Sequence, residues 1–206
     1  MLKKLFANDT MWIMKREESL RTKDGGEYGV DWSVVKLKEY AEKFNIISDN
    51  QKANELAVQR AKNALVNRDG KDTEELYAIS LSSGKDISSI TDQNHPFGVE
   101  RTEKFSADIK RALDKGEKIL YIHNHPRSYP PSLTDLNELV GTDSVGIIAC
   151  HDGSVYYYTA PNRKLSDFDY DVAFRKLPWY SEDEREDTLR TLKEMAKYHH
   201  YEVNEL

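Results

Sequence analysis

The middle of the chain alternates short apolar runs with helical patterns, and this alternation limits the fold more than any other feature of the sequence. Apolar runs at residues 76–81, 119–122 and 145–150 have the length of buried strands. Between them, residues 105–113 and 132–140 have the pattern of helices that cover a sheet. Such alternation is typical of α/β domains. The sequence therefore predicts an α/β fold with a mixed sheet and helices on both faces.

The first 70 residues differ from this central part. Residues 1–30 mix hydrophobic side chains with a Lys/Arg/Glu cluster, which indicates a partly ordered arm. Residues 31–70 have a helical pattern, with Asn50 suited to cap the second helix and Gly70 suited to close it. We therefore expect an N-terminal helical extension, followed by a main domain over residues 71–206 that ends in helices.

Composition and charge exclude several classes of protein. The net charge of -6 disfavours direct binding to duplex nucleic acid. No apolar run approaches the ~20 residues of a membrane span, and the N-terminus lacks the apolar core of a signal peptide. The single cysteine, Cys150, rules out a disulfide framework. We expect a cytoplasmic protein without membrane contact, and the sequence leaves its oligomeric state open.

The clearest chemical signal is a pair of histidines at the end of a predicted strand. His123 and His125 are two residues apart, so both side chains face the same side of the strand, and Pro126 ends it. Ser132 is a good N-cap residue, and Asp135 falls in the first turn of the helix that follows. Two imidazoles and one carboxylate with a vacant fourth position form a ligand set of catalytic zinc. The sequence predicts one Zn²⁺ per chain, bound by His123, His125 and Asp135.

A purely structural interpretation of the same residues remains open. Ser132-x-x-Asp135 fits a capping box, which would stabilise the helix start without binding any ligand. Two histidines at a strand end can also be solvated. The ordered combination of strand, His-x-His-Pro, short loop and Ser-x-x-Asp favours the metal site. The two interpretations of Ser132 are compatible, since a capping hydroxyl can still face the metal.

The pattern His123-Asn124-His125-Pro126, followed by Ser132-x-x-Asp135, resembles the JAMM signature of the JAB/MPN metalloproteases. The Asn at position 124, between the histidines, resembles the residue found there in the bacterial RadC-like branch. The resemblance covers about residues 73–160. Six residues separate His125 from Ser132, one fewer than the family usually has. The resemblance implies a curved JAB/MPN-type β-sheet and a zinc-dependent metalloprotease or isopeptidase, in which a metal-activated water hydrolyses the bond.

The resemblance also implies a catalytic glutamate upstream of the histidines. Such a base takes a proton from the water and passes it to the leaving amine. Glu74 and Glu75 open the first predicted strand and face opposite sides, so only one of them can point at the metal, and the alternation alone does not choose. Similar bacterial sequences have an acidic strand start at this distance from a turn like Ser83-Gly84, which selects Glu74. Ser132 would then donate a hydrogen bond to the oxyanion.

The resemblance implies a protein or peptide as substrate. A ubiquitin-like tail is one such substrate, by analogy with family members that act on ubiquitin-like modifiers. Two alternatives remain open: a RadC-like DNA-metabolism or mobile-element factor of unknown activity, and a non-catalytic MPN-type scaffold. The complete ligand set argues against the scaffold, since scaffolds of this kind have typically lost ligands.

Two further polar residues near the motif have expected positions but no assigned catalytic role. Asn124 should point away from the metal and hydrogen-bond a neighbouring strand or loop, because it alternates with the histidines. His151 precedes a hairpin turn, so we expect it to face solvent.

Overall fold

The computed structural model describes residues 27–96 and 98–206. Of the predicted arm over residues 1–30, residues 1–26 lie outside the described part of the chain. The described chain opens with short helices α1 (Trp32–Val35) and α2 (Lys38–Glu42), a 3-10 turn (Lys43–Ile46) and the long helix α3 (Gln51–Arg68). Residues 31–70 thus contain three α-helices and a 3-10 turn.

Within residues 27–96 and 98–206, six strands form one sheet. They are β1 (Leu76–Ser80), β2 (Lys85–Ile90), β3 (Ile119–His125), β4 (Val145–Cys150), β5 (Val155–Thr159) and β6 (Val203–Glu205). Their order across the sheet is β2-β1-β3-β4-β5-β6. The β3–β4 pair is parallel, and every other neighbouring pair is antiparallel. The sheet is therefore mixed, as the sequence predicts.

The remaining helices are α4 (Glu103–Leu113), α5 (Leu133–Asn137), α6 (Asp167–Phe174) and α7 (Glu184–His199). Among the residues described, no helix combines the length and the apolar character that crossing a bilayer requires.

Each face of the sheet carries its own hydrophobic core, because successive residues of a strand point to opposite sides. On one face, Phe44 and Leu65 of the N-terminal segment pack against Ile79 and Ile147. On the other face, helices α4, α5 and α7 pack against side chains such as Ile148. Helices therefore flank both faces, and the N-terminal helical segment shares its core with the sheet.

Local signals at both ends of α3 have the expected geometry. The Asn50 side chain caps α3 by accepting a hydrogen bond from the Lys52 backbone, and Gly70 beyond its end has a positive φ of 71°. Gly84, in the β1–β2 turn, also has a positive φ, and a Cβ there would lie 2.8 Å from Lys52 Cβ. The hairpin turn therefore abuts the start of α3 closely enough to require glycine.

Strand β3 runs through His125 and stops before Pro126, as predicted, and both histidines pair with β4. Two elements differ from expectation. Helix α5 ends at Asn137, three residues earlier than the pattern predicts. Strand β6 was not predicted, because three residues with one buried apolar side chain give no periodic signal.

Candidate metal centre

The two histidines are fixed by strands on both sides of β3. His123 pairs with Leu76 of β1 and with Ile148 of β4, and His125 pairs with Cys150 at the end of β4. His123 is 5% exposed. A strand inside the sheet gives little backbone freedom, so the imidazoles are presented from a rigid base.

The structure brings together the three predicted ligands. The Nε2 atoms of His123 and His125 are 3.0 Å apart. Asp135, from the first turn of α5, places Oδ1 3.3 Å from His123 Nε2 and Oδ2 3.7 Å from His125 Nε2. Residues from a strand end and a helix start thus meet at one point.

This arrangement fits a tetrahedral zinc ion. With bonds of about 2.0–2.2 Å, tetrahedral geometry separates ligand atoms by roughly 3.3–3.5 Å. The observed separations of 3.0, 3.3 and 3.7 Å fall on both sides of that range. His125 Nδ1 lies 2.8 Å from the Tyr129 carbonyl oxygen. A carbonyl only accepts, so Nδ1 carries the proton and the Nε2 lone pair faces the centre. Histidines that bind metals commonly donate their other ring N–H to a carbonyl in this way.

Asp135 is held by a complete capping box. Its Oδ2 accepts hydrogen bonds from the backbone N–H and from the hydroxyl of Ser132, both at 2.7 Å, and its own N–H donates to Ser132 Oγ at 3.1 Å. Burial opposes ionisation of Asp135, but His123, His125 and the Ser132 hydroxyl together keep the pKa of this carboxyl below its usual range. The Asp135 carboxylate is therefore held in one orientation by Ser132.

The capping box defines the state of the Ser132 hydroxyl. A hydroxyl has one proton, and here it is donated to Asp135. Ser132 therefore orients a predicted ligand directly. To serve as an oxyanion donor, the hydroxyl would have to rotate away from Asp135, and that catalytic role stays a prediction.

Glu74 reaches the centre through the strand register. The pairing of Leu76 with His123 carries Glu74 to the level of His125, and Glu74 Oε1 lies 4.0 Å from His125 Nε2. Ligand-type atoms of Glu74, His123 and His125 all lie within 4.8 Å of one another. Burial raises the pKa of the Glu74 carboxyl to about 7, although His125 acts in the opposite direction.

Glu75 faces the other side and belongs to a different network. It is 1% exposed, its Oε1 lies 3.2 Å from Arg68 Nε, and its Oε2 accepts from the Tyr77 hydroxyl at 2.6 Å. The structure thus separates the two glutamates that the alternation left open: Glu74 lies at the centre and Glu75 in a buried ion pair.

Two polar residues beside the centre are completely buried. Asn124 and His151 are each 0% exposed. The expectation that His151 faces solvent is wrong, because the turn it precedes is covered by the N-terminal segment, whose Asp31 N–H donates to the His151 carbonyl at 2.6 Å. Asn124 does bond a neighbouring segment, as expected, through the Glu75 N–H at 2.9 Å. No local sequence pattern signals this cover, since it comes from residues more than a hundred positions away.

A cavity of about 830 Å³ opens from the centre, a size typical of ligand pockets, which span roughly 300–1,000 Å³. Beyond the predicted ligands and Glu74 it is lined by residues that include Val99, Arg101, Tyr121, Tyr129, Glu138, Leu139 and Tyr158. Arg101 and Glu138 form an ion pair of 3.1 Å in this wall. The cavity therefore combines apolar walls with a few charged groups next to the centre.

Comparison with protein families, with curated proteins and with solved structures finds no match to this chain. The chemistry and geometry of the centre are therefore what indicate a function.

Proposed function

We propose that the protein is a zinc-dependent metallopeptidase of JAB/MPN type, related to the bacterial RadC-like branch, that hydrolyses a peptide or isopeptide bond. One observation carries the proposal: His123, His125 and Asp135 converge within 3.0–3.7 Å of one another, with the carboxyl of Glu74 alongside. Two imidazoles and one carboxylate leave a coordination position open, whereas structural zinc sites are closed by four protein ligands. In this proposal the mixed sheet is the curved sheet of that family.

Glu74 is the general base in this proposal. Its Oε1 is 4.0 Å from His125 Nε2, farther than any separation among the three ligands, so we assign it to the water and not to the ion. A buried carboxyl with a pKa of about 7 can take a proton and return it near neutral pH. When bound, Zn²⁺ would polarise the carbonyl and acidify the attacking water. Glu74 then holds the water proton and delivers it to the leaving nitrogen.

The cavity beside the centre supports a protein or peptide as substrate. Its walls offer apolar surface together with the Arg101–Glu138 pair, a combination suited to an extended peptide with mixed side chains. A ubiquitin-like tail is the isopeptide form of such a substrate.

Metal content tests the proposal most directly. Protein purified without chelator should contain about one zinc per chain, measured by elemental mass spectrometry. His123→Ala and Asp135→Ala should each lose it, because only three protein groups bind the ion. Asp169→Ala is the matched control, since Asp169 occupies the same place in the Ser166 capping box of α6. Stoichiometric zinc in both ligand variants, or none in the wild type, would refute the metal centre.

A further inference from the structure

Asn124 lies between the two histidines, and its side chain forms hydrogen bonds with the backbone on either side of Glu74. Its Oδ1 accepts a hydrogen bond from the Glu75 N–H at 2.9 Å, and its Nδ2 donates to the Thr73 carbonyl at 3.2 Å. The regular β1–β3 ladder ends at the Leu76–His123 pair, so residues 73–75 lie beyond it. The Asn124 amide therefore supplies the cross-links that the ladder no longer provides at Glu74.

His151 fixes which way this amide points. His151 Nδ1 lies 2.7 Å from the Tyr28 carbonyl oxygen, an acceptor, so Nδ1 carries the ring proton. His151 Nε2 is then an acceptor, and it lies 3.2 Å from Asn124 Nδ2. A flipped amide would face its oxygen toward two acceptors and its nitrogen toward the Glu75 N–H. All three hydrogen bonds of Asn124 therefore agree on one orientation.

The same chain of contacts is anchored in the N-terminal helical segment. The Asp31 N–H donates to the His151 carbonyl at 2.6 Å, and the His151 N–H donates to the His125 carbonyl at 3.4 Å. Hydrogen bonds thus run from Tyr28, through His151 and Asn124, to the backbone that carries Glu74. The segment before β1 is connected in this way to both the base and a predicted ligand.

We propose that Asn124 is a positioning residue that holds Glu74 at its distance from the metal centre, with His151 and the Tyr28 carbonyl setting the orientation of its amide. The inference rests on the proposed function, in which Glu74 moves the proton. It gives the Tyr28 carbonyl, just before the N-terminal helical segment, a part in catalysis without contact to substrate. A displacement of about 1 Å in a catalytic group can lower turnover about 100-fold, so this support matters to rate.

Asn124→Ala removes the hydrogen bonds of the Asn124 amide to the backbone beside Glu74. Asn54→Ala is its matched control. Asn54 is also buried, at 6% exposure, and its amide also donates to two backbone carbonyls, those of Asn45 and Ser48. It lies in α3, away from the cavity lining. Asn124→Ala loses three hydrogen bonds and Asn54→Ala loses two, so a general loss of stability should be seen in both.

We expect zinc-loaded Asn124→Ala to keep about one metal per chain, with kcat about 10- to 100-fold lower and KM nearly unchanged. Asn54→Ala should keep the kcat of the wild type. Hydrogen exchange at the Glu75 amide should accelerate in Asn124→Ala only. Crystal structures should show the 4.0 Å separation of Glu74 and His125 changed in Asn124→Ala and kept in the control. Equal kcat in the two variants, with Glu74 in place, would overturn the inference.

Two further outcomes remain decisive. If Asn124→Ala does not fold, Asn124→Ser retains a hydroxyl that can bond only one of the two backbone partners. The kcat of Asn124→Ser should then fall below that of Asn54→Ala. A kcat equal to that of the wild type would contradict a positioning role for Asn124. If the wild type hydrolyses no peptide, the proposed function fails, whereas Glu75 amide exchange and the position of Glu74 still decide the role of Asn124.

Discussion

Two neighbouring side chains of the same type lie in different environments when the strand that carries them passes between two cores. Glu74 and Glu75 are both less than 10% exposed, yet one carboxyl faces two imidazoles and the other faces Arg68. Burial raises the pKa of Glu74 to about 7, although His125 acts in the opposite direction. The Glu75 carboxylate lies 3.2 Å from the Arg68 guanidinium. The environment, and not the residue type, therefore divides the two roles.

Replacing each glutamate with glutamine should separate catalysis from stability. Glu74→Gln should keep zinc and lose about 10²–10⁴ in hydrolysis rate, because the amide cannot take the proton. Glu75→Gln should remain active but lower the free energy of unfolding by up to about 3–5 kcal/mol, because Arg68 keeps a buried charge without its partner. Peptide digestion followed by mass spectrometry, with thermal unfolding, measures both. Activity in Glu74→Gln and none in Glu75→Gln would transfer the base to Glu75.

The two capping boxes allow a controlled test of Ser132. Ser132→Ala and Ser166→Ala should each lose about 0.5–2 kcal/mol of stability as caps. Only Ser132→Ala should weaken zinc binding, by about 10- to 100-fold, because its hydroxyl orients Asp135. A competition titration against a chelator of known affinity measures this. Equal zinc affinity in the two variants would leave Ser132 as a cap.

Turnover of zinc-saturated Ser132→Asn tests the second role of the serine. Asparagine also caps helices well, so the variant should fold and bind metal. If the hydroxyl serves as the oxyanion donor, turnover should fall at least tenfold, toward the ~10²–10³ measured when such donors are lost. Turnover equal to that of the wild type would exclude this role.

Among the secondary structure elements, the two hairpin turns at Gly84 and Gly153 pack closely against the N-terminal helices. Gly153, between β4 and β5, has a φ of +87°, and a Cβ there would lie 2.5 Å from Val34 Cγ1. Gly116 has a similar φ of +77° but nothing within 4 Å. Close packing of a turn against a helix therefore distinguishes two glycines with nearly the same backbone.

Alanine at these two positions should separate backbone strain from packing. Both variants adopt an unfavourable positive φ, which destabilises each. Gly153→Ala should cost a further ~1–3 kcal/mol, because its methyl group overpacks against Val34. Urea denaturation measures the difference in unfolding free energy. Equal losses would mean that α1 yields at this contact.

How far the sequence predicts each element depends on how local its cause is. The strand with His123 and His125, the capping box at Ser132 and the mixed sheet follow from periodicity and capping, which act over a few residues. The burial of His151 and the short strand β6 follow from contacts with distant segments, which no local pattern records. The side on which Glu74 lies needed the register between β1 and β3, since alternation alone fits either glutamate.

For the molecule as a whole, metal removal should lower thermal stability. Zinc present at 100 times its dissociation constant adds about 2.7 kcal/mol to the free energy of unfolding. For a chain of this size that corresponds to about 5–11 °C in Tm. Calorimetry with and without chelator should show this shift in the wild type and none in Asp135→Ala. A chelator-dependent shift in Asp135→Ala would place the metal elsewhere.

The parallel pairing of β3 and β4 ties the assembly of the centre to the topology of the chain. Two parallel strands in sequence require a crossover that leaves the carboxyl end of the first and returns to the amino end of the second. Residues 126–144 form this crossover and carry α5 with Asp135. The link that completes the sheet is therefore also the one that brings the carboxylate to the histidines. An insertion in this loop would therefore act both on the position of Asp135 and on the crossover that joins β3 to β4.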